Sequence, residues 1–256
     1  MPFYSLAIYR GSDGNHYGDA ALNVLTTPDQ ETADRYYRFL QTYPDVYENT
    51  YKFSNFQRLS AQMWTFQSSG QDDLREFTRR MCHHDFTISD ERFRSIVGSV
   101  VLQQYQSNVW FNIYGAPIIP DVDLVAPVNQ EEFFIRRKRH PGQYWFLEGQ
   151  YVRTSESQRT KFRIELVDKN VKTSGIPLLI GSDEVRIIAL DASSSTTIKS
   201  GTYGSGLLGT QGDNSTFKFG AFHQGFNLAV NSTGTADFVT YANSDRWIGE
   251  EWELVS

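Results

Sequence analysis

The spacing of hydrophobic and polar residues changes part-way along the chain. Up to residue 107, several stretches carry apolar side chains three and four residues apart, which is typical of amphipathic helices. From residue 108 onward, short β-type runs alternate with turns of glycine, serine and asparagine. The pattern therefore predicts an α+β fold class, with a mostly helical region over residues 1–107 and an antiparallel β-domain over residues 108–256.

The helical region is predicted to start with a strand from Phe3 to Tyr9 and to continue with helices. In the first helix, Thr27 is the predicted N-cap and Pro28 occupies the first helical position, which are two start signals. Apolar residues at helical spacing then predict three further helices. The four predicted helices cover residues 27–43, 55–70, 72–85 and 90–105.

The second part of the chain carries many short strand candidates, from "VWFNIYG" to "EEWELV". Many short strands separated by Gly/Ser/Asn turns are typical of a barrel or a sandwich rather than of alternating β and α units. We therefore expect an antiparallel all-β domain after residue 108.

Charge, apolar runs and cysteine content limit the expected binding partners and the expected cellular location of the protein. The chain has 24 lysine and arginine residues against 30 aspartate and glutamate residues, a net charge of −6. A binding site for nucleic acid needs a basic footprint, so we expect no specific nucleic-acid partner. We expect no transmembrane segment and no signal peptide, because no suitable apolar run is present. One cysteine forms no internal disulfide, so we expect a soluble protein that is cytoplasmic or exported without a cleaved signal peptide.

One short stretch, Met81 to Asp85, places the only cysteine beside two histidines and an aspartate. On a helix turning about 100° per residue, Cys82, His83 and His84 point in different directions, whereas metal ligands must converge. We therefore expect no metal and no cofactor, and we interpret the stretch as a helix C-terminus. A nucleophilic site that pairs Cys82 with a histidine stays open as an alternative, because such partners meet in space rather than in sequence.

A basic run from Arg136 to His140 precedes Pro141 and Gly142, and predicts a β-hairpin with a basic strand end. Two interpretations of this run stay open. It is either a patch for phosphate, anionic glycan or nuclear import, or a solvated hairpin end whose charges discourage edge pairing.

Three C-terminal segments follow the order of strand, Gly turn, strand and closing Trp motif: Gly225 to Val230, Phe238 to Tyr241, and Glu250 to Val255. In this order they resemble one repeat of a ricin-B-type β-trefoil lectin. The resemblance is specific over about 40 residues, one repeat. It implies a β-trefoil-like fold for the β-domain, with a β-sandwich as the alternative, and carbohydrate binding as the function.

The family's binding positions match this chain at one residue. Tyr241 stands where the resemblance implies an aromatic ring that stacks on the sugar. Ala229, Gly249 and Glu250 stand where the family has its aspartate, its asparagine and the glutamine of its closing motif. The resemblance therefore supports the fold more than sugar binding at this repeat.

The leading hypothesis is a non-enzymatic, lectin-like protein whose partners are glycans or a glycosylated surface. Aromatic rings beside Asn, Asp and Thr suit the apolar faces and hydroxyls of a sugar. The candidate ligand-binding residues are Tyr241, Asn243, Asp245 and Trp247 on the final turn and Tyr203 on a long Gly-rich loop.

Three alternatives come from other classes. A two-part toxin would bind a membrane or receptor through its β-domain and act on lipid through the amphipathic helix over residues 90–105. A structural or assembly protein, such as a capsid or crystal-forming component, would form homo-oligomers. An enzyme acting through Cys82 is the least favoured, because the chain has neither a Gly-x-Ser-x-Gly nor a His-Glu-x-x-His motif.

Overall fold

The computed structural model describes residues 2–11, 22–42, 45–46, 51–85, 87–105, 124–171, 173, 175–190, 195–201, 206–230, 236–242 and 249–256. The chain divides into two compact units. Unit 1 comprises Met1–Ala126 and Asn170–Leu178, and unit 2 comprises Pro127–Lys169 and Leu179–Ser256. The predicted boundary between residues 107 and 108 lies outside the described residues and stays a prediction.

Unit 1 combines strands and helices. Its described elements are β1 (Phe3–Tyr9), β2 (Leu22–Thr27), α1 (Gln30–Thr42), β3 (Asp45–Val46), β4 (Tyr51–Lys52), β5 (Ser54–Ser60), β6 (Met63–Gln67), α2 (Asp73–Cys82), α3 (Glu91–Arg94) and β7 (Val101–Tyr105). Five strands form a mixed sheet in the order β5-β6-β1-β2-β7, in which β1 and β6 are parallel. Strands β3 and β4 form a separate pair.

Helix α1 lies within the residues where the sequence predicts a helix. The predicted N-cap, Thr27, is wrong, because Thr27 is the last residue of β2. The Asp29 carboxylate accepts a hydrogen bond from the Thr32 backbone N–H at 2.8 Å, which is the geometry of an N-cap side chain two residues later. Tyr36, Phe39 and Leu40 are at most 2% exposed, as their three- and four-residue spacing predicts. The strand over β1 and the helix over α2 are confirmed in the same way.

Residues 55–70 do not form the predicted helix. They form most of a hairpin of β5 and β6, with a turn at residues 61–62. Trp64 and Phe66, two residues apart on β6, are 1% and 0% exposed, whereas Leu59 of the predicted helical face is 52% exposed. The apolar residues fit both a helical spacing and a two-residue alternation, and pairing of β6 with β1 selects the strand.

The predicted helix over residues 90–105 is wrong for most of its length. Asp90 caps the four-residue helix α3 by accepting a hydrogen bond from the Arg92 backbone N–H. Gly98 then has a φ of +75°, a left-handed conformation that a continuing helix does not contain. The chain goes on as β7, which pairs with β2. The amphipathic helix required by the toxin alternative is therefore a short helix and a strand.

Unit 2 is built from twelve strands and one short helix within its described residues. The elements are β8 (Glu132–Arg137), β9 (Tyr144–Glu148), β10 (Tyr151–Ser155), β11 (Lys161–Leu166), β12 (Glu184–Leu190), β13 (Ser195–Thr197), β14 (Lys199–Ser200), β15 (Leu208–Gly209), β16 (Phe217–Lys218), α4 (Ala221–Gln224), β17 (Phe226–Val230), β18 (Ala236–Tyr241) and β19 (Trp252–Val255). The main path of the antiparallel sheet is β13-β12-β11-β8-β9-β10-β15-β14. Strand β16 pairs with β12, β18 with β10 and β17, and β19 with β8, so that the sheet curves almost closed.

Trp145, on β9, lies at the centre of the unit 2 core and is 0% exposed. The ring centroids of Phe226, Trp252 and Phe162 lie 5.1, 5.5 and 5.8 Å from its own, in edge-to-face arrangements. These partners come from β17, β19 and β11. One tryptophan therefore joins four strands of the sheet.

The predicted fold class is wrong. Among the described residues, 45% are in strands and 16% are helical, in four short helices. The N-terminal unit is itself built on a β-sheet, so a helical region followed by an all-β domain does not describe the chain. The longest described helix, α1, has 13 residues, and no helix among the described residues is long and apolar enough to cross a membrane.

Helix α1 buries polar side chains along one side. Gln30, Asp34, Arg38 and Gln41 recur at three- and four-residue spacing, and Asp34, Arg38 and Gln41 are at most 2% exposed. The polar side chains are satisfied in part by distant backbone: Gln30 donates to the carbonyl of Val125, Arg38 to that of Leu178 and Gln41 to that of Ile176. These hydrogen bonds hold the end segments of unit 1 on α1.

Asp34 forms a buried ion pair with Arg58 of β5, with 2.7 Å between carboxylate oxygen and guanidinium nitrogen. The two side chains are 3% and 6% exposed. Burial raises the pKa of Asp34 to about 7, against the opposing effect of the Arg58 charge. Removing this carboxylate from water therefore costs more than its ion pair returns.

We expect Asp34→Asn to remove part of the pH dependence of stability. Unfolded, Asp34 ionises at about pH 4, whereas in the folded protein it keeps its proton to about pH 7. The contribution of Asp34 to the wild-type free energy of unfolding therefore falls as the pH rises from about 4 to about 7. Urea denaturation at about pH 5 and about pH 8 measures the free energy of unfolding of both proteins. The value for the variant relative to that for the wild type should be higher at pH 8 than at pH 5. Asp85→Asn, at an exposed position of unit 1, is the control. An Asp34→Asn difference that is equal at both pH values would contradict the assignment.

Candidate functional site

Of the five predicted glycan-binding residues, the structure describes Tyr241. Tyr203, Asn243, Asp245 and Trp247 lie outside the described residues. Tyr241 is on β18, and its ring centroid lies 5.0 Å from that of Phe217 and 5.3 Å from that of Phe226. Burial raises the pKa of the Tyr241 hydroxyl. The ring is half-buried in the unit 2 core, and its stacking on a sugar stays a prediction.

Two further positions of the lectin resemblance have structural roles. Gly249 lies against the backbone of Gln224, where a Cβ atom would overlap the carbonyl oxygen. An asparagine therefore does not fit at this position without a shift of the backbone. Glu250 accepts two hydrogen bonds from the Arg137 guanidinium, at 2.6 and 3.0 Å. Packing and ion pairing thus occupy the positions at which the family holds sugar.

The basic run at the end of β8 faces a row of glutamates on and just before β19. The ion pairs are Arg136–Glu253, Arg137–Glu250 and Lys138–Glu251. Opposite charges facing each other across two strands stabilise the pairing. The geometry therefore favours the structural interpretation of these three cations over an anion-binding patch.

Cys82 is the last residue of α2 and lies in a groove of about 590 Å³ between this helix and β7. Its thiol donates a hydrogen bond to the Val100 carbonyl at 3.3 Å. His83 also lines the groove, whereas His84 is exposed in a left-handed conformation with a φ of 59°. Within the described part of the chain, no group of three or more His, Cys, Asp or Glu side chains is placed to hold a metal ion. The stretch is a helix C-terminus, as the sequence predicts.

A different group of residues forms the most distinctive surface of unit 2. Five aromatic side chains lie on the outer side of the sheet, and we call them the aromatic face: Phe134, Tyr144, Phe146, Tyr151 and Phe238. Each has a strand neighbour that is at most 2% exposed, and successive side chains of a strand point to opposite sides. The rings are half-buried, except that Tyr151 is 38% exposed.

Two cations cover one end of the aromatic face. Phe134 and Tyr144 form an edge-to-face pair with centroids 6.4 Å apart. The Arg159 guanidinium carbon lies 4.2 Å from the Phe134 centroid and 5.6 Å from that of Tyr144, and the Lys161 ammonium lies 5.7 Å from the Phe134 centroid. These distances are those of cation–π interactions.

Arg153 lies between the rings at the other end of the aromatic face. It is the cross-strand partner of Phe146 on β9 and of Phe238 on β18. Its guanidinium carbon is 4.9 Å from the Phe238 centroid, and its nitrogens pair with Glu148 and Asp237. Charged hydrogen-bonding groups therefore alternate with rings across the face.

The sequence contains a signal for this surface. Strand β8 carries Phe133 beside Phe134, and β9 carries Tyr144, Trp145 and Phe146 in succession. Adjacent residues of a strand point to opposite sides, so a run of aromatics always places one ring or more outside the core. These two runs therefore predict outer rings on β8 and β9.

Comparisons with known proteins identify no family for this chain. No family model matches the chain, and a search of curated proteins finds no match. The resemblance of the C-terminal residues to a ricin-B-type repeat therefore stays a prediction.

We expect Arg137→Gln to lower the free energy of unfolding by about 1 kcal/mol. The substitution removes the ion pair with Glu250, which is made through two hydrogen bonds and is largely shielded from solvent. The Arg137 and Glu250 side chains are 17% and 24% exposed, whereas Lys138 is 54% exposed, so Lys138→Gln should have almost no effect. Hydrogen bonds from Arg137 lower the pKa of Glu250, so the difference should shrink as the pH falls through that lowered value. Urea denaturation followed by tryptophan fluorescence measures both variants. Equal losses for both would show that burial of Arg137 contributes nothing.

Proposed function

We propose that this protein is a non-enzymatic carbohydrate-binding protein and that the aromatic face of unit 2 is its binding surface. The observation that supports the proposal is the alternation of half-buried rings with charged hydrogen-bonding groups on a regular antiparallel sheet. Rings offer flat apolar surfaces to the C–H faces of a sugar, and charged side chains accept from or donate to its hydroxyls. Protein sites for small ligands commonly combine these two kinds of group.

The face is held in a defined shape. Tyr151 and Phe238 form an edge-to-face pair with centroids 5.6 Å apart, and Arg153 is fixed on two sides by carboxylates. Side chains already held in one arrangement lose little conformational entropy when a ligand binds. A rigid face therefore suits the weak, repeated contacts that sugars offer.

The charge pattern favours sugar over nucleic acid for this face. Arg136, Arg153 and Arg163 each pair with a carboxylate, so most of the positive charge is compensated. A surface that binds nucleic acid draws much of its affinity from uncompensated lysine and arginine on phosphates. The net charge of −6 points the same way.

We expect Tyr151→Ala to weaken glycan binding by about tenfold, because truncating an aromatic contact residue at a binding hot spot commonly costs more than 1 kcal/mol of binding energy. A glycan array probed with the intact chain identifies the ligand, and calorimetry with that ligand measures the variant. Tyr4→Ala is the matched control, since Tyr4 is 43% exposed and Tyr151 38%, and Tyr4 belongs to unit 1.

Three results would count against the proposal. The first is an array on which the wild-type chain binds nothing. The second is binding that Tyr151→Ala leaves unchanged, which would place the site elsewhere. The third is an equal loss in the Tyr4→Ala variant, which would indicate a general effect on the protein. Circular dichroism of each variant checks that the fold is kept.

A further inference from the structure

Arg159 contacts two rings of the aromatic face. Its guanidinium lies over Phe134 at 4.2 Å and beside Tyr144 at 5.6 Å. Within the part of the chain that the structure describes, it makes no ion pair, whereas Arg136 pairs with Glu253 and Arg163 with Glu165. Arg159 is also exposed. Its described side-chain contacts are therefore with these two rings.

These contacts leave the Arg159 guanidinium without a carboxylate partner among the described residues. A guanidinium carries five N–H donors in its plane, and stacking on a ring occupies the face rather than the edge. The donors match the two oxygens of a carboxylate in a two-point hydrogen-bonded pair. Lys161 adds a second positive charge over the same ring, and its nearest carboxylate, Glu132, is 4.0 Å away and exposed.

The surroundings of Arg159 combine positive charge with aromatic rings. The rings of Phe134 and Tyr144 lie under the cations and hold the guanidinium at the surface. On a face proposed to bind sugars, the matching anion is a carboxylate joined to a sugar ring, as in a uronic acid. Among the described ion pairs, Glu132 pairs with Lys161 at 4.0 Å and Arg159 is unpaired, so this end of the aromatic face carries an uncompensated positive charge within an acidic chain.

We propose that Arg159 is the carboxylate-binding residue of a subsite for a uronic acid unit, with Lys161 supporting it and Phe134 and Tyr144 holding the guanidinium in place. The inference rests on the proposed carbohydrate-binding function and names its ligand class, an acidic saccharide. It also predicts discrimination: the same saccharide without its charge should bind more weakly.

The test uses two oligosaccharides with one backbone, oligogalacturonate and its fully methyl-esterified form, which carries no charge. Calorimetry with the intact chain should show binding of the acid that is about tenfold tighter than binding of the ester. Arg159→Gln should remove this preference while leaving binding of the ester within about twofold. Arg159→Lys should restore it only in part, because an ammonium keeps the charge but not the planar pair of donors. Arg163→Gln, which removes the same charge from an arginine already paired with Glu165, is the matched control and should change neither affinity.

The outcomes separate the two proposals. Equal binding of acid and ester, lost in Tyr151→Ala, overturns the acidic subsite and leaves the proposed function standing. Equal weakening of both ligands by Arg159→Gln assigns Arg159 a structural role and overturns the subsite. Binding of sulfated dextran or single-stranded RNA that depends on Arg159, without binding of oligogalacturonate, overturns the uronate assignment. Binding of neither saccharide, together with an empty glycan array, overturns both proposals.

Discussion

Trp145 packs at the centre of unit 2 among aromatic partners from three other strands, and it is 0% exposed. Because successive residues of a strand point to opposite sides, burying this ring turns Tyr144 and Phe146 outward. The same alternation places Phe134 outside while Phe133 and Ile135 are buried. The outer rings are therefore a direct consequence of the core. A surface of this kind carries a hydration cost that contact with a ligand would recover.

The charges of unit 2 are distributed unevenly over this sheet. Glutamates next to and on β19 compensate the basic end of β8, and Glu148 with Asp237 compensates Arg153. Arg159, in contrast, is held by rings rather than by carboxylates. An acidic chain can thus present a small positive site, because local pairing and not net charge decides which cations reach a ligand. This is the physical link between the fold of unit 2 and the proposed binding of acidic saccharides.

Unit 1 relies on a buried polar arrangement instead. Asp34 of helix α1 forms a buried ion pair with Arg58 of β5. Arg38 and Gln41 of the same helix donate hydrogen bonds to the backbone of the segment that ends at Leu178. Buried polar groups of this kind contribute little net stability, but they are costly to leave unsatisfied. They therefore favour one arrangement of the helix over others that bury the same apolar area. The raised pKa of Asp34 shows that ionising this buried carboxyl group near neutral pH lowers the stability of the folded protein.

Local signals in the sequence were sufficient for some elements. Tyr36, Phe39 and Leu40 specify the buried side of α1, and Leu74, Phe77 and Met81 that of α2, because helical spacing acts over a few residues. The start of α1 was not predicted correctly, since Thr27 pairs in β2 and Asp29 caps the helix. The hairpin of Trp64 and Phe66 and the strand β7 were not predictable in this way, since their apolar residues fit helix and strand equally and long-range pairing with β1 and β2 decides between them.

The candidate site also has one part that the sequence determines and one part that only the tertiary structure determines. The run Tyr144-Trp145-Phe146 determines by itself that rings lie outside the core, whereas the contact of Arg159 with Phe134 joins residues 25 positions apart in sequence. Only the tertiary structure decides which arginine lies over the rings and which are paired with acids, because ion pairs and cation–π contacts form between strands that the sheet brings together.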